Sequence, residues 1–318
     1  MAESPTAEPG PTLEALVAGR AGQPPVTTGV VHPCDDIAIE GAVQAALRGL
    51  ITPVLIGPQA RIRAAADSAG QDISAFKIED APHSDAAAAK AVAMVRAGDL
   101  DMLMKGSLHT DELMHAVVDP ACGLRTDRRV SHVYVMEVAT YPRLLLITDA
   151  AINIAPDLEA KRDIAQNAID LAQAIGIAAP KVAVLSAVET VSSKLKSTLD
   201  AAALCKMADR GQITGGMVEG PLAFDNAIDP GAAREKHLTS PVAGAADIVI
   251  CPDLEAGNML AKQLTYLASA KSAAVVLGAR VPIALTSRAD SVPTHVASCA
   301  LGSLLIQKKR DALKASGA

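Results

Sequence analysis

Aromatic side chains are nearly missing from this chain of 318 residues, which has no Trp, two Phe and three Tyr. Single-stranded nucleic acid is held by bases stacked on aromatic platforms, so the composition argues against that ligand class. Basic runs are missing too. The 29 Lys and Arg face 35 Asp and Glu, a formal net charge of −6, and form no stretch able to track a phosphate backbone. No nucleic-acid partner is expected. A small anion remains admissible, because one local group of Arg and Lys binds phosphate even in a protein that is acidic overall. No apolar run approaches a membrane span, and MAESPTAEPGPT lacks the apolar core of a signal peptide. A soluble, cytoplasmic protein with no membrane partner is the expectation.

Several site signatures are also absent. VVHPCDD stands after the first strand where a dinucleotide fold would carry GxGxxG, and no GxxxxGK[ST] occurs. The seven His form no HExxH, which argues against zinc, and no GxSxG elbow marks a serine hydrolase. The five cysteines, Cys34, Cys122, Cys205, Cys251 and Cys299, are odd in number and lack CxxC spacing. They read as reduced thiols, with Cys122, Cys251 and Cys299 as small buried residues.

What is abundant is Ala, Val, Leu and Ile, in a chain that is 50% hydrophobic. Such a composition suits helices packed closely on a parallel sheet. Apolar runs such as PPVTTGVV, TPVLIG, DMLMKG, KVAVLSA and ADIVICPD alternate with segments of helical spacing, the doubly wound pattern. VSHVYVMEVATYPRLLLITDA interrupts it with two β-rich runs around ATYP, which predicts a hairpin. An α/β fold of two α/β/α domains follows, 1–142 with 288–318 and 143–287, the last helix running to about Ile306. The first ten or so residues are expected to be disordered.

Three strand ends turn polar: MLMKGSLHT, ITDAAINIAPD and IALTSRADS. Ligands collect at the carboxyl ends of strands in open α/β sheets, so a site is sought there. In the first, Lys105 ends a buried run, Gly106 lets backbone approach a ligand, and Thr110 is placed to cap a helix. The anion such a helix start would attract competes with Asp111 and Glu112 in its first turn. In the last, Pro293 sets the helix start near Asp290 or Ser291, which leaves Ser287 and Arg288 in the preceding loop. The planar fork of Arg suits a phosphate. His132, alternating with valines, reads as a packed histidine.

MLMKGSLHT, GLRTDRRVSHVYVME, LLLITDAAINIAPD, GQITGGMVEGPLAFDNAI, SPVAGAADIVICPDLEAGNML and LTSRADS together resemble the phosphate acetyl/butyryltransferase family over about residues 30–305, with a nearer likeness to phosphotransbutyrylase-type members. The resemblance implies two α/β/α domains with the active site in the cleft between them, a fold related to isocitrate and isopropylmalate dehydrogenases, and a homodimer joined through the second domain. It implies the reaction acyl-CoA plus orthophosphate giving acyl phosphate plus CoA, by direct transfer, with no metal and no cofactor beyond these substrates. Ser287 and Arg288 match the family's Ser-Arg pair, Arg288 holding phosphoryl oxygens and Ser287 near the reacting sulfur or carbonyl. Thr110 and Ser131 fall in the matching phosphate-side loops, and Lys105 joins them electrostatically.

One position departs from the pattern. Seven residues after the serine, where the family has an aspartate proposed as base for the CoA thiol, this chain has Thr294. Asp290, His295 or ionisation of the thiol in a positive field are the substitutes. Asp253 and Glu255 in PDLEAGN read as structural. Two other functions stay open at this point, a metal- and NAD-dependent hydroxyacid dehydrogenase of the same fold and a non-catalytic CoA-binding relative. Acyl chain length, from acetyl to butyryl, is not legible, since one methylene in an apolar pocket is worth only ~1–3 kcal/mol.

Overall fold

The computed structural model describes residues 11–316, so the expectation for the first ten residues lies outside the described residues. In chain order the elements are α1 (Leu13–Ala18), β1 (Val26–Val31), α2 (Asp36–Leu47), β2 (Ile51–Gly57), α3 (Gln59–Ser68), β3 (Lys77–Asp80), α4 (Ser84–Ala97), β4 (Met102–Lys105) and α5 (Thr110–Val117). They continue as β5 (Ser131–Glu137), β6 (Leu145–Thr148), α6 (Leu158–Ala174), β7 (Lys181–Leu185), α7 (Lys196–Asp209), β8 (Met217–Leu222), α8 (Phe224–Ile228) and α9 (Pro230–Glu235). The last are β9 (Ile248–Ile250), α10 (Leu254–Leu267), β10 (Lys271–Leu277), β11 (Ile283–Ala284) and α11 (Val292–Ser316).

The chain forms two compact units. Among the described residues, the first holds Leu16–Val133 and 273–316; the second holds Tyr134–Ser272 with residues 11–15. These seams fall earlier than the expected ones at 142 and 287. The pairing explains the later one: β10 runs antiparallel to β11, and β11 lies parallel to β4 through Leu103↔Ile283 and Met104↔Ala284. The segment 273–287 is therefore bound to the strands of the first unit. Residues 11–15 join the second unit through the Leu13 N–H, which donates to Glu137 Oε2 at 2.9 Å.

In the first unit the strand order is β3-β2-β1-β4-β11-β10. Val31 pairs with Lys105 and Met104 with Ala284, so the carboxyl ends of β1, β4 and β11 lie side by side. Met102, Leu103 and Met104 are buried, each contributing ~1.5–3 kcal/mol by leaving water. Helix α2 crosses α11 closely at Gly41, where a Cβ would come 2.8 Å from His295 Cβ. Strand β3 was not read from the sequence, because KIED is a short edge strand with no buried residue. Helix α11 runs past the expected Ile306 to Ser316. Its charged half is supported by the Gln307–Asp311 bond of 2.8 Å and by Arg310, whose Nη2 lies 2.8 Å from Asp101.

In the second unit β6, β9, β7 and β8 lie in that order, all parallel. Strands β5 and β6 are hydrogen-bonded neighbours joined by the short link 138–144, the expected hairpin. Asp253 caps α10 by accepting from the Ala256 N–H at 2.9 Å, and buried Asp149 closes the loop after β6 by accepting from the Ala151 and Ile152 N–H groups. Cys251 and Cys299 are buried as expected, whereas Cys122 is exposed. It sits in the turn after α5, where its thiol donates to Asp119 Oδ1 at 3.2 Å.

Candidate active site

Strand β4 delivers Lys105 into a pocket of backbone. Its side chain is 2% exposed, and its Nζ donates one hydrogen bond, to the Gly106 carbonyl at 3.2 Å. Burial pushes the ammonium below the ordinary lysine range and the Arg288 charge adds to this, while Asp35, Asp290 and Glu112 act the other way. Gly106 is required by closeness, since a Cβ there would stand 2.5 Å from the Val31 carbonyl oxygen and 2.7 Å from that of His32. The two strand ends are tied by Ser107, whose hydroxyl donates to the His32 carbonyl at 2.7 Å and accepts from the Cys34 N–H at 3.1 Å. His32 takes the left-handed φ of 54° that lets the chain leave β1 here.

Helix α5 starts one residue earlier than the expected cap at Thr110 would place it. His109, in extended conformation, is the N-cap and Thr110 the first helical residue. The His109 N–H donates to Glu112 Oε2 at 2.7 Å, which holds that carboxyl below its usual range.

Strand β11 delivers the second half of the site. Thr286 is buried, with its hydroxyl 3.2 Å from Nδ1 and 3.3 Å from Nε2 of His295. Ser287 and Arg288 are exposed in a turn closed by the Ser287 N–H donating to Asp290 Oδ2 at 2.7 Å and the Asp290 N–H donating to the Ser287 carbonyl at 3.1 Å. Helix α11 then begins at Val292, with Pro293 tolerated in its first turn. Arg288 Nη2 lies 3.4 Å from His109 Nδ1. Thr294 is buried and shares a hydroxyl contact of 3.2 Å with Ser291. Burial, then the Lys105 charge, pushes His295 down to about 4, so its ring is neutral near pH 7.

Lys105, Arg288, Ser287 and Asp290 are thus gathered at adjacent strand ends, with Thr110 beside His109. Neither Lys105 nor Arg288 makes an ion pair among the described residues. Two cations left without carboxylate partners can hold a multiply charged anion by charge-assisted bonds. Ser131 opens β5 fully buried, with no solvent-facing hydroxyl surface. His132 is equally buried. From the sequence, the histidines including His32 and His109 form only a candidate set with no assigned role, and neither Ser107 nor the Thr286–His295 contact is foreseen. The signal available for His32, His109 and Ser107 was position alone, directly after the ends of β1 and β4.

The family described as phosphate acetyl/butaryl transferase matches residues 84–302, a stretch that contains both loops of the site. The chain belongs to the phosphate acetyl/butaryl transferase family. It is 62% identical over 299 residues to a phosphate acetyltransferase of Rhizobium meliloti, covering 94% of this chain and 95% of that one. It is 43% identical over 275 residues to a phosphate butyryltransferase of Clostridium acetobutylicum, covering 86% and 91%. The expected leaning toward butyryl-type members thus meets a higher identity with a relative named for acetyl. A crystal structure of a branched-chain phosphotransacylase from Enterococcus faecalis V583 superposes with TM-score 0.76 at 27% identity, covering 88% of this chain and 99% of that one. In this phosphate acetyl/butaryl transferase, the Ser287–Arg288 pair and Lys105 fall inside the matched segment, while His32 and Asp35 lie before it.

Proposed function

We propose that this chain transfers a short acyl group, acetyl to butyryl, between coenzyme A and orthophosphate, as a cytoplasmic homodimer needing no metal or further cofactor. The observation that carries this reading is the buried Lys105 beside an Arg288 without an ion pair, at neighbouring parallel strand ends of a chain in this family. A phosphate oxygen attacks the thioester carbonyl carbon, the C–O bond forms as the C–S bond breaks, and CoA leaves as a thiolate that then takes a proton. Arg288 grips two phosphoryl oxygens with its fork, Lys105 supplies charge from a desolvated position, and the Ser287 hydroxyl donates toward the carbonyl oxygen that gains charge. Thr110 lends its hydroxyl to the phosphate side, as does Ser131 if its surroundings open on binding.

In the reverse direction the CoA thiol must lose its proton. Asp290, the candidate base, is already engaged as acceptor of the Ser287 N–H. We assign it the task of holding the Ser287–Arg288 turn and assign thiol ionisation to the field of Lys105 and Arg288. A thiol near its ordinary pKa of ~8.5 needs only a modest shift to ionise near neutrality.

The test is release of CoA thiol from acetyl-, propionyl- and butyryl-CoA by purified protein, with EDTA present and NAD omitted. Release that requires phosphate or arsenate is the expected result. No phosphate-dependent release with any of the three would overturn the reading.

A further inference from the structure

The ammonium of Lys105 poses a problem that its neighbours in the first unit solve. An ammonium has three N–H donors and the Gly106 carbonyl takes one, so two are left for a ligand. A carboxylate paired directly with Nζ would hold the charge but occupy those donors, and among the described residues none is so paired. Yet a lysine that is 2% exposed is prone to lose its proton. Burial, and then the Arg288 charge, both favour the neutral amine. In that form Lys105 would make no charge-assisted bond to a phosphate and would supply no field to ionise a thiol.

Three carboxylates of the same unit oppose that loss, each held by backbone N–H groups rather than by the lysine. Asp290 accepts from the Ser287 N–H, Glu112 from the His109 N–H and the Ser84 hydroxyl, and Asp35 from the Ala38 N–H at 2.7 Å as the N-cap of α2. Asp35 acts on Lys105 more strongly than Asp290 and Glu112 do. Its place follows from the sheet. Val31 pairs with Lys105 at the ends of β1 and β4, and the chain beyond each is laced to the other through Ser107, which bonds the His32 carbonyl and the Cys34 N–H. Asp35 is the next residue, half-buried. His295 of α11, which feels both the Lys105 and the Asp35 charge, is itself neutral near pH 7.

Asp290 and Glu112 belong to the segments that carry Arg288, the first in its turn and the second beneath the His109 cap that Arg288 touches. The Asp35 side chain bonds only within the start of α2 among the described residues, so its charge can be removed with those segments in place. Resting on the reading of Lys105 and Arg288 as holders of phosphate, we propose that Asp35 is a positioning residue for that anion: fixed at the start of α2, its carboxylate keeps Lys105 an ammonium without taking up the donors the phosphate needs.

Asparagine caps a helix as well as aspartate does, so Asp35→Asn removes the charge and keeps the bond to Ala38, whereas Asp35→Glu keeps the charge and weakens the cap. In Asp35→Asn the alkaline fall of kcat/KM for phosphate should begin at a lower pH than in the parent. The ratio of variant to parental phosphate KM should grow by about threefold or more along that limb, the scale of one carboxylate acting at a distance inside a protein. Asp35→Glu should keep the parental limb and lose thermal stability instead. Coincident limbs in the Asn variant and the parent would overturn the proposal, and so would a phosphate KM raised by one factor at every pH, the mark of a damaged cap. A second measurement needs no turnover. In NMR of protein with isotope-labelled lysine Cε, the Lys105 signal, assigned by its absence from Lys105→Arg, should titrate at a lower pH in Asp35→Asn, and titration at the parental pH would overturn the proposal. A parental enzyme without phosphate-dependent acyl transfer would instead defeat the substrate reading, and the lysine titration would still decide the role of Asp35.

Discussion

Arg288 Nη2 lies 3.4 Å from His109 Nδ1, so the loop after β11 leans on the cap of α5. The contact needs a lone pair on the imidazole, and it presets a guanidinium that would otherwise sweep solvent. His109→Ala should raise the phosphate KM several-fold, within the ~1 kcal/mol of one ordinary hydrogen bond, with kcat nearly kept. An unchanged phosphate KM would show that Arg288 needs no such support.

Arg288→Gln removes charge and fork together. Its expected cost is ~2–4 kcal/mol of transition-state stabilisation, roughly 30- to 1,000-fold in kcat/KM for phosphate. Arg288→Lys should recover part of that loss because it keeps the charge. Steady-state kinetics on both variants, with thermal unfolding as the fold control, decide it. Near-parental values in the folded Gln variant would move the phosphate site elsewhere.

Asp290 separates two roles cleanly. As the acceptor of the Ser287 N–H at 2.7 Å it tolerates Asn, whose amide oxygen accepts equally, but not Ala. The pH profile for CoA attack on acetyl phosphate should therefore keep its shape in Asp290→Asn, with the rate within about tenfold of the parent, and Asp290→Ala should be slower still. Loss of the pH-dependent limb in the Asn variant would reinstate Asp290 as the base.

His295 makes stability depend on acid. Its pKa is about 4 in the folded protein, against ~6.5 in an unfolded chain, so between these values the unfolded state binds the extra proton. The stabilisation is complete above about pH 6.5 and is lost as pH falls through 4, by up to ~3 kcal/mol. Urea midpoints at pH 7.5 and 4.5 should differ less in His295→Gln than in the parent. Equal pH dependence in the two would locate the acid sensitivity in other groups.

Lys161 and Asp200 form a buried pair at 2.8 Å in the second unit, with Lys196 reaching the same carboxylate at 2.6 Å from a solvent-exposed position. Asp200→Ala strands the Lys161 ammonium and should cost ~3–5 kcal/mol in unfolding free energy. Adding Lys161→Met should restore much of it. A single variant as stable as the parent would mean that water reaches Lys161.

Lys105, Ser287 and Arg288 were legible because each directly follows a β-rich apolar run, and strand ends are where open sheets gather ligands. The alternation of strand and helix was legible for the same reason of period. His109 was not, since histidine is an uncommon helix cap and its role depends on an arginine far along the chain. The Thr286–His295 contact was hidden because it requires α11 to lie against Gly41 of α2, a packing fact with no local signal. The end of α11 was misjudged because the apolar spacing stops near Ile306, while the helix is carried on by charged residues and the Arg310–Asp101 bridge.

The pairing of β4 with β11 also sets a timetable. Arg288 follows His109 by 179 positions, so at ~5–20 residues per second a ribosome needs roughly 10 to 35 s to supply the second half of the site. Until then Leu103 and Met104 border an open sheet edge, the kind that invites pairing with another chain. A growing polypeptide carries Lys105 long before it can carry out any chemistry with it. Association of nascent chains during that interval is expected at the β4 edge, before β11 arrives to cover it.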